Sequence, residues 1–352
     1  MQPVITKTGF TGKTAGDEKS HQQKIPLAAG PPAAFAGKPE AENETGRPAP
    51  AVPDMSIVLV CWNNKTYLEP CLESLYAAPL QSSFEVVVVD NGSTDGSQAM
   101  LQSAFPDVQL IQNEGNVGLG KASNQGIEAT NGRYVLLLNN DTLVDGPSLD
   151  AMVNFLDENP RAGAVGGRLL NPDGSFQAGY ANFSTLTEEF LIATRLGELL
   201  RPGYPSHEDD DQIREVGWIS SACLLVRRSA LDEVGLLDES YFIYGDEADL
   251  QYRLQKAGWK VHYLPHANTI HFGGRSMNRW GRRKMVYRGK MLFYRKNYGF
   301  ARTMALRVML AGLSVLKLAV WGVASLAPGR RRRAKKELQS NMDVVKLCLK
   351  LE

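Results

Sequence analysis

The sequence predicts an α/β fold built on a mainly parallel sheet with helices on both faces. Three observations carry this. Strand-like and helix-like segments alternate from about residue 54 onward. The strand-like segments are continuous apolar runs, as in strands buried on both faces, and not the alternating pattern of half-exposed ones. Each run also stops on amides or carboxylates, which fits sheets that bind ligands outside the carboxyl ends of their strands.

The first run, "SIVLVCWNN" from Ser56, is β-branched and ends on Asn63 and Asn64. Apolar residues at helical spacing follow in "KTYLEPCLESLYAAPL". "FEVVVVDNGSTDGS" is the second strand, closing on Asp90 before a Gly/Ser/Asp turn and the helix "QAMLQSAF". "VQLIQN" is a third strand, "GLGKASNQGIEAT" a third helix, and "RYVLLLNND" a fourth strand ending on Asn139, Asn140 and Asp141. Farther on, Leu250 and Leu254 at i, i+4 spacing predict a helix from Asp246 to Gly258, with Asp246, Glu247 and Asp249 in its first turn. Carboxylates there complement the helix dipole, and three so close together also favour a shared proton and a raised pKa.

The 352 residues are 43% hydrophobic and 22% charged, which is ordinary for a globular chain with a sizeable core. Residues 1 to about 53 are rich in Pro, Ala and Gly and poor in large apolar side chains, so they read as a disordered extension. The net charge of +1 conceals an asymmetry. From Arg275 onward there are 20 Lys or Arg against Glu337, Asp343 and Glu352. That tail calls for an anionic partner: a membrane surface, a nucleic acid or a phosphorylated substrate. No nucleic-acid-binding motif accompanies it, so no nucleic-acid partner is expected. Cys61, Cys71, Cys223 and Cys348 lack C-x-x-C spacing, which argues against zinc or a disulfide framework and suits a reducing cytosol. The first twenty residues contain no apolar segment, so no secretory signal is expected.

Two common α/β functions are excluded by motif. A dinucleotide site needs G-x-G-x-x-G after the first strand, where this chain has "CWNNKTYLEP". No P-loop is present either.

The runs "SIVLVCWNN", "VVVVDNGSTDGS", "NVGLGKASNQGI", "YVLLLNNDT", "GWISSACLLVRR", "LLDESYFIYGDEADLQYRLQKAGWKV" and "HFGGRS" resemble, in order, the family 2 glycosyltransferases. The resemblance is strongest to the bacterial rhamnosyltransferase-like branch that decorates cell-envelope glycans. It spans about residues 55 to 300 and implies the GT-A fold, a Rossmann-like nucleotide-diphospho-sugar transferase arrangement. It further implies inverting transfer of a sugar, rhamnose in that branch, from a dTDP- or UDP-linked donor to a glycan or lipid-linked acceptor, assisted by Mg²⁺ or Mn²⁺. Divisions are expected at residues 1–53 (extension), 54–300 (transferase domain) and 301–352 (basic, apolar helical tail).

Site residues follow from the same resemblance. Asp141 closes a D-x-D-type motif whose first acid is here Asn139, and would hold the metal; a solvated turn is the plainer alternative for "NND". His271, in "NTIHFGGRS", would complete the metal shell or touch the diphosphate. Asp90 would bond the base or ribose. Asn116, Gly118 and Asn124 would approach the donor, together with Asn139 and Asn140. Asp95 could equally cap a helix, and Lys121 could touch phosphate or be a plain surface lysine. Trp218, Ser220 and Ser221 match W-x-S-G-A, with Ser221 in place of glycine, and would form the sugar or acceptor pocket, where Asp249 would hold either the helix or the acceptor. Glu247 stands where the family's catalytic base is usually Asp, with Asp246 as the fallback. Of the other histidines, His262 reads as a strand residue, His21 and His207 as loop residues, and His266 is uninformative.

Processive synthases of this fold carry Q-x-x-R-W and several spans; "SMNRW" has Ser276 in place of Gln, so a single transfer is expected. A nucleotidyltransferase would need a Gly-rich, Lys/Arg-containing opening loop, which is missing. A catalytically inactive sugar-nucleotide or membrane-binding module would reveal itself at Asn139 and Glu247. The segment "MALRVMLAGLSVLKLAVWGVASL" is interrupted by Arg307 and Lys317 and followed by "GRRRRAKK". A central Lys costs roughly 2.5–3.5 kcal/mol on insertion. The segment therefore reads as an interfacial helix on anionic lipid rather than a span, with a soluble packing helix as the alternative, and the protein as cytoplasmic and peripheral to the inner membrane face.

Overall fold

The computed structural model describes residues 52–200, 211–273 and 279–350. The N-terminal extension up to residue 51, His21, His207 and Ser276 lie outside the described residues.

The first half has the alternation read from sequence. β1 (Met55–Cys61), α1 (Lys65–Ala77), β2 (Phe84–Asp90), α2 (Ser97–Ala104), β3 (Gln109–Gln112), α3 (Leu119–Glu128) and β4 (Tyr134–Asn139) follow one another. Then come β5 (Thr142–Val144), α4 (Gly146–Glu158), β6 (Ala162–Leu170), β7 (Phe176–Gln177), β8 (Tyr180–Ala181), α5 (Leu186–Thr194) and α6 (Gly197–Leu200). After these are β9 (Arg214–Glu215), β10 (Trp218–Ile219), β11 (Cys223–Arg227), α7 (Arg228–Val234), α8 (Asp246–Lys256) and β12 (Lys260–His271). The chain ends in α9 (Arg279–Asn297), α10 (Phe300–Ala324) and α11 (Arg331–Leu349).

The main sheet runs β3-β2-β1-β4-β11-β6-β12-β5. β1 to β4 are parallel, whereas β11 lies antiparallel between β4 and β6 and makes the sheet mixed. Alternate side chains of each strand enter opposite layers, as the period of two requires. Ile57, Leu59, Val86, Val88, Leu136 and Leu138 pack with α1, α2 and α4. Val58, Val87, Val89, Val135 and Leu137 pack with α3, α7 and α8 on the other face. Burial on both faces is the physical reason that these strands are uninterrupted apolar runs.

Register places the polar strand ends together. Cys61 pairs with Asp90, and Val60 with Asn139. The chain then reverses into β5, which runs antiparallel to the end of β12 so that Thr142 faces His271. This return brings residues 130 positions apart, Asp141 and His271, to one sheet edge.

The C-terminal helices have their own core, with Tyr294, Leu306, Leu310, Val344 and Cys348 buried together. Thr303, Leu306, Leu310 and Ser314 form the inward stripe of α10. Lys317 also turns inward, where its Nζ donates to the Ala193 carbonyl at 2.7 Å. The outward side carries exposed Val308, Val315, Leu316, Val320 and Val323. The sequence reading treated Lys317 as an interruption of the apolar surface; helical phase moves it off that surface. The helix is long and apolar enough to cross a membrane by length and composition, with a mean hydropathy of 1.7. The four cysteines are free and buried.

Candidate active site

A cavity of about 770 Å³ lies at the carboxyl ends of β1 and β4, with His271 at the end of β12 in its wall. Asn116, Asn139, Asn140, Asp141, Trp218, Ser220, Ser221, Glu247 and His271 all line it, so nine of the residues selected from sequence converge on one space.

The acidic end is built around His271. Its Nε2 stands 3.3 Å from Asp141 Oδ1 and 3.4 Å from Asn139 Nδ2. Its Nδ1 faces Gln177 Oε1 at 2.6 Å. The Gln177 amide nitrogen has two acceptors, Asn171 Oδ1 at 2.9 Å and the His271 carbonyl at 3.1 Å, which fixes the orientation of the amide. Nδ1 therefore carries a proton and donates to Gln177, and Nε2 faces Asp141. That is the arrangement by which an outer hydrogen bond orients a metal-ligating imidazole. Among the described residues no three His, Cys, Asp or Glu side chains cluster as a metal-binding group. One carboxylate and one imidazole suit a cation that completes its shell with water and substrate phosphate. Asn140 is held by its own contacts: its Nδ2 donates to the Val60 carbonyl at 2.7 Å, and its Oδ1 accepts from Asn64.

The second acidic group opens α8. Glu247 lines the cavity, and its Oε2 accepts from the Gly245 amide at 3.1 Å. Asp246 is 2% exposed, lies behind the cavity wall in a small adjoining space that it lines with Val60, Leu119, Asn139 and Ser221, and has an Oδ1 without a hydrogen-bond partner. Burial, and then the neighbouring Glu247, push the Asp246 carboxyl well above its ordinary value.

Several selected residues sit behind the lining. Asp90 is fully buried; its Oδ1 accepts from the Ser93 amide at 2.9 Å and Gln98 Nε2 at 2.7 Å, while its Oδ2 is unpartnered. Gly118 caps α3 at φ +97°, and a Cβ there would meet the Phe242 carbonyl at 2.9 Å, so only glycine fits. Asn124 was selected for the donor, but both its amide atoms clamp the backbone of Leu237, at 2.8 and 3.0 Å. Of the two roles read for Asp249, holding the helix or the acceptor, the structure shows the first: it is fully buried and spent on Tyr241, Arg253, Lys296 and Asn297, tying α8 to α9. Asp95 accepts from the amides of Lys65 and Ser97 at two helix starts, the capping alternative. Lys121 pairs with Glu239 at 3.8 Å on the surface. His262 lies on β12 against Phe155, and burial lowers its pKa. His266 is an exposed residue of the same strand.

The sequence reading missed Gln177, Tyr244 and Arg282, all of which line the cavity. Tyr244 has φ +66°, a left-handed conformation that is costly for a tyrosine and typical of functional turns. Arg282 belongs to the basic run assigned from sequence to an anionic surface.

The sequence pattern described as "Glycosyl transferase family 2" matches residues 56–235. The N-acetylglucosaminyl-diphospho-decaprenol L-rhamnosyltransferase of Mycobacterium tuberculosis is 31% identical over 299 residues, covering 80% of this chain and 97% of the relative. This chain is a family 2 glycosyltransferase. The Haloferax volcanii low-salt glycan biosynthesis hexosyltransferase Agl10 is 25% identical over 222 residues, 62% of this chain and 67% of the relative. Among solved structures, the mannosyltransferase PcManGT from Pyrobaculum calidifontis, in complex with GDP-Man and Mn2+, superposes with a TM-score of 0.52 at 16% identity. It covers 86% of this glycosyltransferase and 89% of its own chain, and shares the GT-A fold.

Proposed function

We propose that this glycosyltransferase moves a sugar, rhamnose as in the mycobacterial relative's name, from a nucleoside diphosphate to a hydroxyl of a lipid-linked glycan, with inversion. The observation that carries the reading is the sharing of one cavity by the Asp141–His271 pair and Glu247. The buried Oδ2 of Asp90 is the acceptor for an N–H or ribose hydroxyl of the nucleotide. Asp141 and His271 would hold Mg²⁺ or Mn²⁺ against the diphosphate. When bound, such an ion neutralises the charge that develops on the leaving group. Arg282 adds a fixed positive charge in the same cavity.

Glu247 takes the proton from the acceptor hydroxyl as its oxygen attacks the anomeric carbon. The bond from that carbon to the diphosphate oxygen breaks on the opposite face, and the nucleoside diphosphate leaves. Asp141 is unsuited to this task because its lone pairs are committed at the metal end. Asp246 is buried and does not line the cavity, which leaves Glu247 as the carboxylate that meets the acceptor.

The outward apolar stripe of α10, followed by Arg330, Arg331, Arg332 and Arg333, supports docking of the cytoplasmic enzyme on an anionic membrane surface, where a lipid-linked acceptor resides. The deciding experiment is Glu247→Gln. Turnover should fall about a hundred- to ten-thousand-fold, as loss of a general base does, while donor binding stays near normal. Near-wild-type turnover together with an inactive Asp246→Asn would move the base by one residue. A product that retains the donor's anomeric configuration would overturn the mechanism.

A further inference from the structure

Beyond Glu247 the structure has a second cavity, of about 360 Å³, between α5, α8 and α9. Ala181, Trp218, Tyr244 and Glu247 line both cavities, whereas Asn139, Asp141 and His271 line only the first. We propose that the second cavity receives the terminal pyranose of the acceptor and presents one of its hydroxyls to Glu247, an inference that rests on the transferase reading above.

The walls fit a neutral sugar ring. Phe183 and Phe293 stack with centroids 5.7 Å apart, and Trp218, Tyr244 and Tyr294 add further aromatic surface. Aromatic rings offer large apolar area with a polar edge, which suits the C–H face and the hydroxyl rim of a pyranose. The charges in the wall are net negative. Glu189 is 1% exposed, receives Lys290 Nζ at 2.6 Å, and accepts from Ser184 Oγ. Glu188 closes a capping box with Thr185. Lys290 is the single cation of the wall and is spent on Glu189, so an anion finds no partner there and the charged part of an acceptor, such as a diphosphate, stays outside. Glu247 is the remaining ionisable wall residue, and a hydroxyl is the group that its carboxylate can accept from.

Placement agrees with this occupant. α5 supplies Ile192 to the cavity and also packs against α10, so one helix separates the cavity from the element that bears the outward apolar stripe. A sugar carried on a membrane lipid would occupy the second cavity while the nucleotide occupies the first.

The test fills the cavity from opposite walls, with Ile192→Trp on α5 and Val286→Trp on α9. Donor affinity is measured with a panel of UDP- and dTDP-sugars, and transfer with an N-acetylglucosamine-diphospho-polyprenol. The acceptor KM should rise at least tenfold in each variant, with the donor Kd within twofold of wild type. Melting curves identify a variant that does not fold, in which case the other carries the test. An unchanged acceptor KM, or a matching loss of donor affinity, would overturn the assignment of this cavity while leaving the transferase reading intact. Failure of the wild-type enzyme to bind any nucleotide sugar would overturn both.

Discussion

Gln177 grips His271 twice, through Oε1 to the imidazole Nδ1 at 2.6 Å and through Nε2 to the carbonyl of the same residue at 3.1 Å. The two bonds keep a proton on Nδ1 and fix the orientation of the ring. Gln177→Leu should weaken Mn²⁺-dependent donor binding about 10- to 100-fold, as loss of an outer-shell partner does. Asp141→Ala should abolish the metal-dependent part altogether. Isothermal titration of donor with and without chelator measures both; affinities that ignore chelator in wild type and variants alike would remove the metal from the mechanism.

Asn124 makes a contrasting prediction. Asn124→Ala strands the amide and carbonyl of Leu237 in a buried position, at a cost of about 1–3 kcal/mol for each group left unsatisfied. Thermal or denaturant unfolding should register that loss, while donor Kd of the folded fraction holds. A weaker Kd with unaltered stability would return Asn124 to the donor site.

Asp246 sets a pH dependence. Its folded pKa lies well above the ordinary 3.8, because burial and then Glu247 disfavour the charge. Below 3.8 both folded and unfolded states hold the proton, and the contribution to stability is fully present. As pH rises from there toward the folded pKa, the unfolded chain releases its proton first, so stability is lost. Asp246→Asn should lack this decline, and its Tm should gain on wild type as pH rises above 3.8. Parallel Tm curves across that range would contradict the assignment.

The stripe on α10 predicts a surface effect without a folding effect. Val315 is 54% and Val320 66% exposed, so a Val315→Asp/Val320→Asp double variant leaves the helical core untouched. It should fail to float with anionic vesicles that carry the wild-type protein. Equal flotation of the two proteins would exclude this face as the docking surface.

Much of this arrangement is legible in the linear chain, for definite reasons. β1, β2 and β4 declare themselves because burial on both faces demands unbroken apolar runs, and their polar ends mark the ligand edge. The antiparallel β11 is not readable in the same way, since "CLLVR" has the same composition whichever direction it runs. Helical phase held more information than was extracted. Asp246 stands four residues before Leu250 and eight before Leu254, so its burial on the sheet side follows from spacing alone, as does the i, i+4 pairing of Asp249 with Arg253. Gln177 gave no signal, because its function arises from a contact with His271, 94 positions away.

At Gly289 the backbone of α9 presses on the turn before α8 so closely that a Cβ would lie 2.1 Å from the Tyr244 carbonyl. Eight residues farther along α9, Asn297 bonds Asp249 from the same side, with Lys296 next to it. The cationic end is thus no detachable cassette. A chimaera that imports the tail of another transferase must bring a residue without a side chain at the first position and donors at the other two. Otherwise a bulky intruder displaces Tyr244 from the mouth shared by both cavities, and the buried Asp249 loses two of the four partners that hold it.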